Sequence, residues 1–520
     1  MLMRSIALLI VATVLVCPLS SGERSEYSRP NMIGNRSVIV QMFEWRFDDL
    51  AEECENFLGP YGYGGIQTSP VLEYAMIKDN RPWWERYQPV SYKIISRSGN
   101  AEQLSNMIER CNRAGVRVYV DIVINHMAGP MIGQGVGGTP FNGNAKDFPG
   151  VPYGPQHFND KSKCPSQSGG IEDWRNPEQI RNCELVGLRD LDASQDHVRQ
   201  KIADAMNSLI RLGVAGFRVD ATKHMWVEDV KAILDRVDNL NTQYFQSNER
   251  PFIYHEISHD GSKEGIQPEE YLPVGSPLEF MYRRNLVNVF RKYDNQKLRW
   301  LRNWGEPWDL LPSDSAVPFV DNHDFQRSEI DTGISFRQPR LLKMATAFML
   351  AWPYGTPEVM SSYEYEVDPN HREVDNTGPP MDQDGNIVGA KTNPDLSCQA
   401  PWRCEHRWRQ IYNMVKFREV AEYEPVENWQ CPSDNVIAFS RGSSAFIVIV
   451  NDNIQVNQEF QTNLPAGRYC DVISGNIERN GETKCTGKVI EVKDGGKALI
   501  TIDGERDEDP MVAIHIQARL

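Results

Sequence analysis

Carboxylates recur in this sequence at the points where apolar runs end. The run over 214–220 closes on Arg218 and Asp220, and the run over 252–257 carries His255 and Glu256. The run over 316–321 leads into Asp321, Asn322, His323 and Asp324, and that over 116–124 contains Asp121 and leads into Asn125 and His126. A charged side chain on an otherwise buried strand costs free energy unless it is paired or used. For one position, a buried ion pair such as Arg218 with Asp220 explains the charge as well as catalysis does. Acids at several separate strand ends weaken that explanation with each addition. Two carboxyl groups about 5 to 5.5 Å apart cleave a glycosidic bond with retention, one as nucleophile and one as acid and then base. A third can stabilise the positive charge that develops on the sugar. There is no G-x-S-x-G nucleophile elbow, no P-loop and no H-E-x-x-H zinc helix; His255-Glu256-Ile257-Ser258-His259 has the letters of the last, but it closes a predicted strand.

The elements around these residues must bring them together. Asp220 and Glu256 lie 36 residues apart, about one strand–helix unit, so adjacent parallel strands would deliver them to one rim. From about 37 to 420, short apolar runs alternate with helical stripes such as Leu104, Met107, Ile108 and Cys111, or Val227, Val230, Leu234 and Val237. Strands are predicted over 38–43, 64–68, 116–124, 214–220, 252–257, 278–282, 316–321 and 358–362, which is the count of a (β/α)8 TIM barrel. Residues 126–191 are rich in Gly, Pro and Asn without periodicity and read as a loop-rich domain inserted after strand 3. After about 425 the period becomes that of strands, predicting a C-terminal antiparallel β-sandwich of Greek-key type. The expected organisation is 1–22 signal peptide, 23–125 with 192–424 barrel, 126–191 insertion and 425–520 all-β domain. Gly133 to Gly138 satisfies G-x-G-x-x-G, but no apolar helix follows and no βαβ unit surrounds it, so it reads as a flexible loop.

Composition narrows the setting. With 520 residues, 40% hydrophobic and 24% charged, the chain can bury a large core, which excludes disorder as its main state. A net charge of −16 repels phosphate backbones and anionic lipid, arguing against nucleic-acid and membrane partners. Arg4, an apolar run over 6–16 too short to cross a bilayer, and small residues over 20–22 fit a cleaved export signal, so the protein is expected to be secreted and extracellular. Nine cysteines follow Cys17 with no C-x-x-C pair, suiting structural disulfides in an oxidising compartment with one thiol left over. Asn35-Arg36-Ser37 fits the N-glycosylation triplet.

Four ordered segments carry a family resemblance. Asp121-Ile122-Val123-Ile124-Asn125-His126, Gly216-Phe217-Arg218-Val219-Asp220-Ala221-Thr222-Lys223-His224, Phe252-Ile253-Tyr254-His255-Glu256 and Phe319-Val320-Asp321-Asn322-His323-Asp324 resemble the signature segments of α-amylases. Arg81-Pro82-Trp83-Trp84-Glu85-Arg86-Tyr87-Gln88 and Cys404-Glu405-His406-Arg407-Trp408-Arg409-Gln410 resemble the animal type, with secreted arthropod and mite digestive enzymes nearest in appearance. The resemblance spans nearly the whole chain after the signal. It implies Asp220 as nucleophile, Glu256 as general acid/base and Asp324 as the stabiliser that grips sugar hydroxyls. Glu256 would then need a raised pKa, and Asp220 would need to stay ionised beside Arg218. It also implies that Trp83, Trp84, Tyr87, Gln88, His126, Arg218, Lys223, His224 and His323 contact substrate, though the Trp pair taken alone would be ordinary core packing.

The same resemblance implies a structural calcium ion held by side-chain oxygens of Asn125 and Asp190 and backbone carbonyls of Arg181 and His224, clamping the insertion to the barrel. Two residues of an animal-type chloride site are matched, Arg218 and Asn322, but Glu358 stands where a basic residue is usual. A carboxylate there would repel an anion and could pair with Arg218, so chloride is expected not to be required. By analogy of spacing, Cys54 pairs with Cys111, Cys164 with Cys183, Cys398 with Cys404 and Cys470 with Cys485, leaving Cys431. The stretch 328–333 lacks the glycine-rich mobile loop of vertebrate relatives.

The expected activity is that of a secreted, monomeric, retaining endo-acting α-amylase acting on internal α-1,4 bonds of starch, glycogen and malto-oligosaccharides. Two alternatives stand beside it: an α-glucosidase or transglycosylase on the same scaffold, which would release glucose first or favour sugar acceptors, and a non-catalytic carbohydrate-binding barrel. The intact Asp220, Glu256 and Asp324 argue against the last.

Overall fold

A computed structural model describes residues 24–78, 80–261, 264–368, 377–479 and 481–520; the expected signal peptide lies outside them. Eight parallel strands form one sheet: β1 (Ile39–Met42), β2 (Gly65–Thr68), β3 (Arg117–Val123), β4 (Gly216–Asp220), β5 (Phe252–His255), β6 (Ser276–Glu279), β7 (Val317–Pro318) and β8 (Glu358–Ser361). Their spatial order is β7-β6-β5-β4-β3-β2-β1-β8. A parallel bridge between Phe319 and Glu358 joins the two ends into a nearly closed barrel.

Two strands depart from expectation for local reasons. β6 stops at Glu279 because that side chain accepts the Met281 N–H at 3.0 Å and starts the helix Phe280–Arg291, so 280–282, expected as strand, are helical. β7 is only two residues long, and Pro318 has no N–H to extend its ladder.

Strand alternation sorts the interior into layers. Near the base, Ile39, Tyr119, Phe252, Leu278 and Val317 belong to one apolar cluster. At this level Gly216 lets β4 approach β5, since a Cβ there would meet the Phe252 carbonyl oxygen at 1.9 Å. One step up, β1 and β2 place Gln41 opposite Gln67, and β4 places Arg218 opposite both Asp121 and Tyr254. One further step up β4 is Asp220, and Glu256 follows the end of β5, its N–H donated to the Val219 carbonyl at 3.0 Å. The register thus sets a polar layer directly beneath the strand-end acids.

Between β3 and the helix Asp196–Leu212, the chain forms small pairings rather than loose loops. His126–Met127 pairs with Arg189–Asp190, and Ile132–Gln134 pairs with Pro140–Asn142. The glycine run at 133–138, expected to be a flexible loop, is instead a hairpin built around buried Glu73. The Gly137 and Thr139 N–H groups donate to Glu73 Oε1 at 3.0 and 3.1 Å, and a Cβ at Gly135 would fall 2.4 Å from that oxygen.

Among the described residues, the C-terminal region holds, besides a small pairing of Ile477–Glu478 with Lys484–Cys485, two four-stranded antiparallel sheets. One has the order β9 (Val426–Ser433), β10 (Val436–Arg441), β11 (Ala445–Val450), β16 (Met511–His515). The other runs β12 (Gln455–Gln461), β15 (Lys497–Asp503), β14 (Val489–Lys493), β13 (Gly467–Cys470). Val436, Ala438, Phe446 and Val512 of the first meet Phe460, Tyr469, Ile490 and Ile500 of the second in a shared core. The opposite face of the first sheet lies against the barrel, with Phe439 5.5 Å from Trp352. Coverage on both faces makes β10 and β11 continuously buried. Disulfides join Cys54 to Cys111, Cys164 to Cys183, Cys398 to Cys404 and Cys470 to Cys485, and Cys431 is free and exposed.

Candidate active site

The strand-end acids converge on one guanidinium. Arg218, 2% exposed, places Nη1 2.9 Å from Asp121 Oδ1 and 2.7 Å from Asp220 Oδ1, and Nη2 3.0 Å from Glu256 Oε1. Glu256 Oε2 accepts the Ala221 N–H at 2.8 Å. Ala221 has φ 50, so the turn directly after Asp220 is strained and is held by that bond. Tyr87 donates its hydroxyl to Asp121 Oδ2 at 3.0 Å. Asp324 sits at the rim with 42% of its side-chain surface open, its Oδ1 3.5 Å from His323 Nε2.

Four carboxyls facing one buried cation cannot all be ionised cheaply. Burial first, then the charge on Glu256, pushes Asp220 upward against the pull of Arg218. Asp220, expected to stay ionised beside Arg218, is thus pushed toward its protonated form in the free protein. The same two causes raise Asp324 to about 7, opposed by Arg218 and Arg327. Asp220 and Asp324 therefore hold their protons to higher pH than free carboxyls do.

The other expected contacts divide into two groups. Tyr87 and His323 stack at 5.5 Å and 4°, and Trp83 meets the His323 ring edge-on at 5.4 Å, giving an aromatic wall beside Asp324; Trp84 is part-exposed. Lys223 donates to the Ser258 carbonyl at 2.7 Å, pairs with Glu264, and lies 5.6 Å from the Trp174 ring, which also meets His224 edge-on. Other residues are engaged by protein. His126 Nε2 donates to the Tyr87 carbonyl at 2.9 Å, its Nδ1 faces Asn125 Nδ2 at 3.2 Å, and burial lowers its pKa to about 4. Gln88 Oε1 accepts the Gly129 N–H at 3.1 Å. Trp174, 45% exposed, and Glu264 escaped sequence reasoning because both lie in aperiodic loops; an isolated Trp in the polar stretch before Asn176 was the one available signal. Where vertebrate relatives carry a glycine-rich loop, Phe325–Ser328 is a short helix, and Glu329 pairs with Arg283 at 2.7 Å.

Oxygen donors gather between the insertion and the barrel. Asn125, Arg181 and His224 line a small cavity of about 230 Å³, shared with Asn159 and Asp192. Asp190, adjoining it through Asn159, is buried, and among the described residues its carboxylate has one donor, Asn159 Nδ2 at 2.7 Å. Burial pushes the Asp190 carboxyl well up, and Asn159 Oδ1 is buried without a partner. This set of oxygens fits a hard cation.

The expected pairing of Glu358 with Arg218 is not made. Among the described residues, Arg218 is bonded to Asp121, Asp220 and Glu256, while its Nε and Glu358 Oε1 are buried without partners. Burial raises Glu358 to about 8, against the pull of Arg218, so near neutral pH it is uncharged rather than repulsive. Asn322 Oδ1 accepts the Phe325 N–H at 2.9 Å.

The raised pKa of Asp324 links stability to pH. Folded chains bind a proton there between pH 3.8 and about 7 where unfolded chains do not, so this group's favourable contribution is present at low pH and lost as pH rises through that window. Partial exposure damps the effect. Thermal unfolding should show Asp324→Asn, which cannot ionise, gaining on the wild type between about pH 5 and about pH 8. An unchanged difference would contradict the assignment.

Comparison with known proteins identifies the architecture. Residues 57–366 match the family described as "Alpha amylase, catalytic domain", and 428–517 match "Alpha amylase, C-terminal all-beta domain". The chain is 50% identical over 505 residues to an α-amylase of Dermatophagoides pteronyssinus, covering 95% of this chain and 100% of the relative. It is 48% identical over 504 residues to human pancreatic α-amylase, covering 95% and 97%. The crystal structure of α-amylase I from Eisenia fetida superposes with a TM-score of 0.89 at 41% identity, covering 94% of this chain and 99% of that one. The barrel, its strand-end acids and the paired sheets behind it thus belong to a chain that is a member of the α-amylase family.

Proposed function

We propose that the protein is a retaining, endo-acting α-amylase that hydrolyses internal α-1,4 bonds of starch, glycogen and malto-oligosaccharides. The observation that carries this reading is the bridging of Asp220 and Glu256 by one guanidinium at adjacent strand ends. Asp220 attacks the anomeric carbon while Glu256 gives its proton to the departing glycosidic oxygen. Water then loses a proton to Glu256 and attacks the same carbon, breaking the bond to Asp220, so two inversions give net retention. Asp324 stabilises the charge on the flattened sugar, and the wall of Tyr87, His323 and Trp83 gives the ring an apolar face. A variant of the Eisenia fetida enzyme is known as a maltohexaose complex, which supports an extended glucan as ligand. Four disulfides support secretion into an oxidising compartment, and among the described residues no helix is long and apolar enough to cross a membrane.

Calcium would be held by Asn125, Asp190 and the carbonyls of Arg181 and His224, where it supplies a structural clamp between insertion and barrel. Chloride is not required on this reading, because the Arg218 guanidinium is already neutralised by carboxylates and Glu358 supplies no cation.

Glu256→Gln is expected to lower starch hydrolysis by about 10²- to 10⁴-fold; unchanged hydrolysis would refute the assignment. The wild type should release mixed oligosaccharides early, and glucose alone would point to an α-glucosidase. A calcium chelator should lower the thermal midpoint, with recovery on added calcium, while chloride added to chloride-free buffer should leave kcat/KM unaltered. Strong chloride activation, or a midpoint indifferent to chelation, would overturn the respective part.

A further inference from the structure

The geometry points to Gln41 on β1 as the residue that fixes which nitrogen of His323 carries the hydrogen, so that the ring presents an N–H to Asp324. This rests on the reading of Asp324 as part of the sugar-gripping machinery. Gln41 is 5% exposed, and its Nε2 lies 2.8 Å from His323 Nδ1. The other ring nitrogen, Nε2, faces Asp324 Oδ1 at 3.5 Å.

The imidazole has little freedom to choose another arrangement. It is 2% exposed and lies between Tyr87, at 5.5 Å and 4°, and Phe43, at 4.9 Å and 22°, with Trp83 at its edge. Burial, Arg218 and Arg327 hold its pKa well below the usual range, so the ring is neutral and carries a single N–H. Two tautomers remain. With the hydrogen on Nδ1, the Nε2 lone pair would face the oxygen lone pairs of Asp324, and Gln41 would have to offer its carbonyl. With the Gln41 amide donating to Nδ1, the hydrogen is forced onto Nε2, the nitrogen 3.5 Å from Asp324 Oδ1. This one assignment suits the Gln41 amide and turns an N–H, not a lone pair, to the side of the Asp324 oxygen.

Gln41 lies a layer below the acids, opposite Gln67 in register, and is therefore a positioning residue that acts through His323. Its type matters for a chemical reason. An amide can donate, whereas an apolar residue of the same size cannot, so replacing Gln41 leaves only the 3.5 Å approach of Asp324 to bias the ring, too long to hold one tautomer by itself.

The test reads the tautomer directly. In ¹⁵N-histidine-labelled wild-type protein near pH 7, the ring assigned to His323 by its loss in His323→Asn should carry hydrogen on Nε2. An Nδ1–H or imidazolium pattern there overturns the proposal whatever the activity. Gln41→Met is expected to show a mixture of tautomers and about a tenfold fall in kcat/KM, borne by kcat more than KM. Gln41→His, which regains a donor, should recover most of the lost rate at a similar thermal midpoint. Equal losses in the two variants, or an unaltered tautomer in Gln41→Met, would also overturn it. A wild type with the Nε2–H pattern but no action on starch would instead sink the amylase reading and leave the tautomer assignment standing.

Discussion

A single buried guanidinium holds the site together. Arg218 reaches Asp121, Asp220 and Glu256 from the barrel axis, so acids from three adjacent strands share one positive charge. Breaking a buried ion pair by removing one partner typically costs about 3–5 kcal/mol, and here it would strand several carboxylates at once. The rest of the fold meets the conditions this cluster imposes. Strand register must put Arg218 opposite Asp121, Gly216 must let β5 come close below it, and Tyr87 must satisfy the second Asp121 oxygen.

The same arrangement accounts for both chemistry and strain. An excess of acid over base at the strand ends raises Asp220 and Asp324 above ordinary carboxyls. The left-handed turn at Ala221 is unfavourable for a residue with a Cβ, yet it aims a backbone N–H at Glu256 and so fixes the carboxyl against its neighbour. The aromatic column from Tyr87 through His323 to Phe43 and Tyr363 continues this fixation outward, with the Arg327 guanidinium 5.2 Å from the Phe43 ring.

Much of this was legible in the sequence because buried strands advertise themselves. β3 and β4 are continuous apolar runs broken only by residues that turn out to be functional or paired, and both fall within their predicted ranges. Strand β12 carries little apolar signal, with only Val456 and Phe460 buried among its seven residues. The hairpin at 132–142 was unreadable because a distant carboxylate, Glu73, organises it rather than its own side chains. Glu358 stands out in the sequence as an acid on a strand end, but its charge state depends on burial, and sequence alone supplies no measure of that. Trp174 reaches the groove only through the folding of an aperiodic insertion.

The central claim is that Arg218 holds Asp220 and Glu256 close enough for one to form a bond to sugar while the other transfers the proton. The stereochemistry of the first product measures this most directly, by proton NMR of a maltooligosaccharide digest recorded before mutarotation. The account predicts that the new reducing end appears first as the α-anomer. Initial appearance of the β-anomer would mean that water attacks directly across a wider gap, and would contradict it.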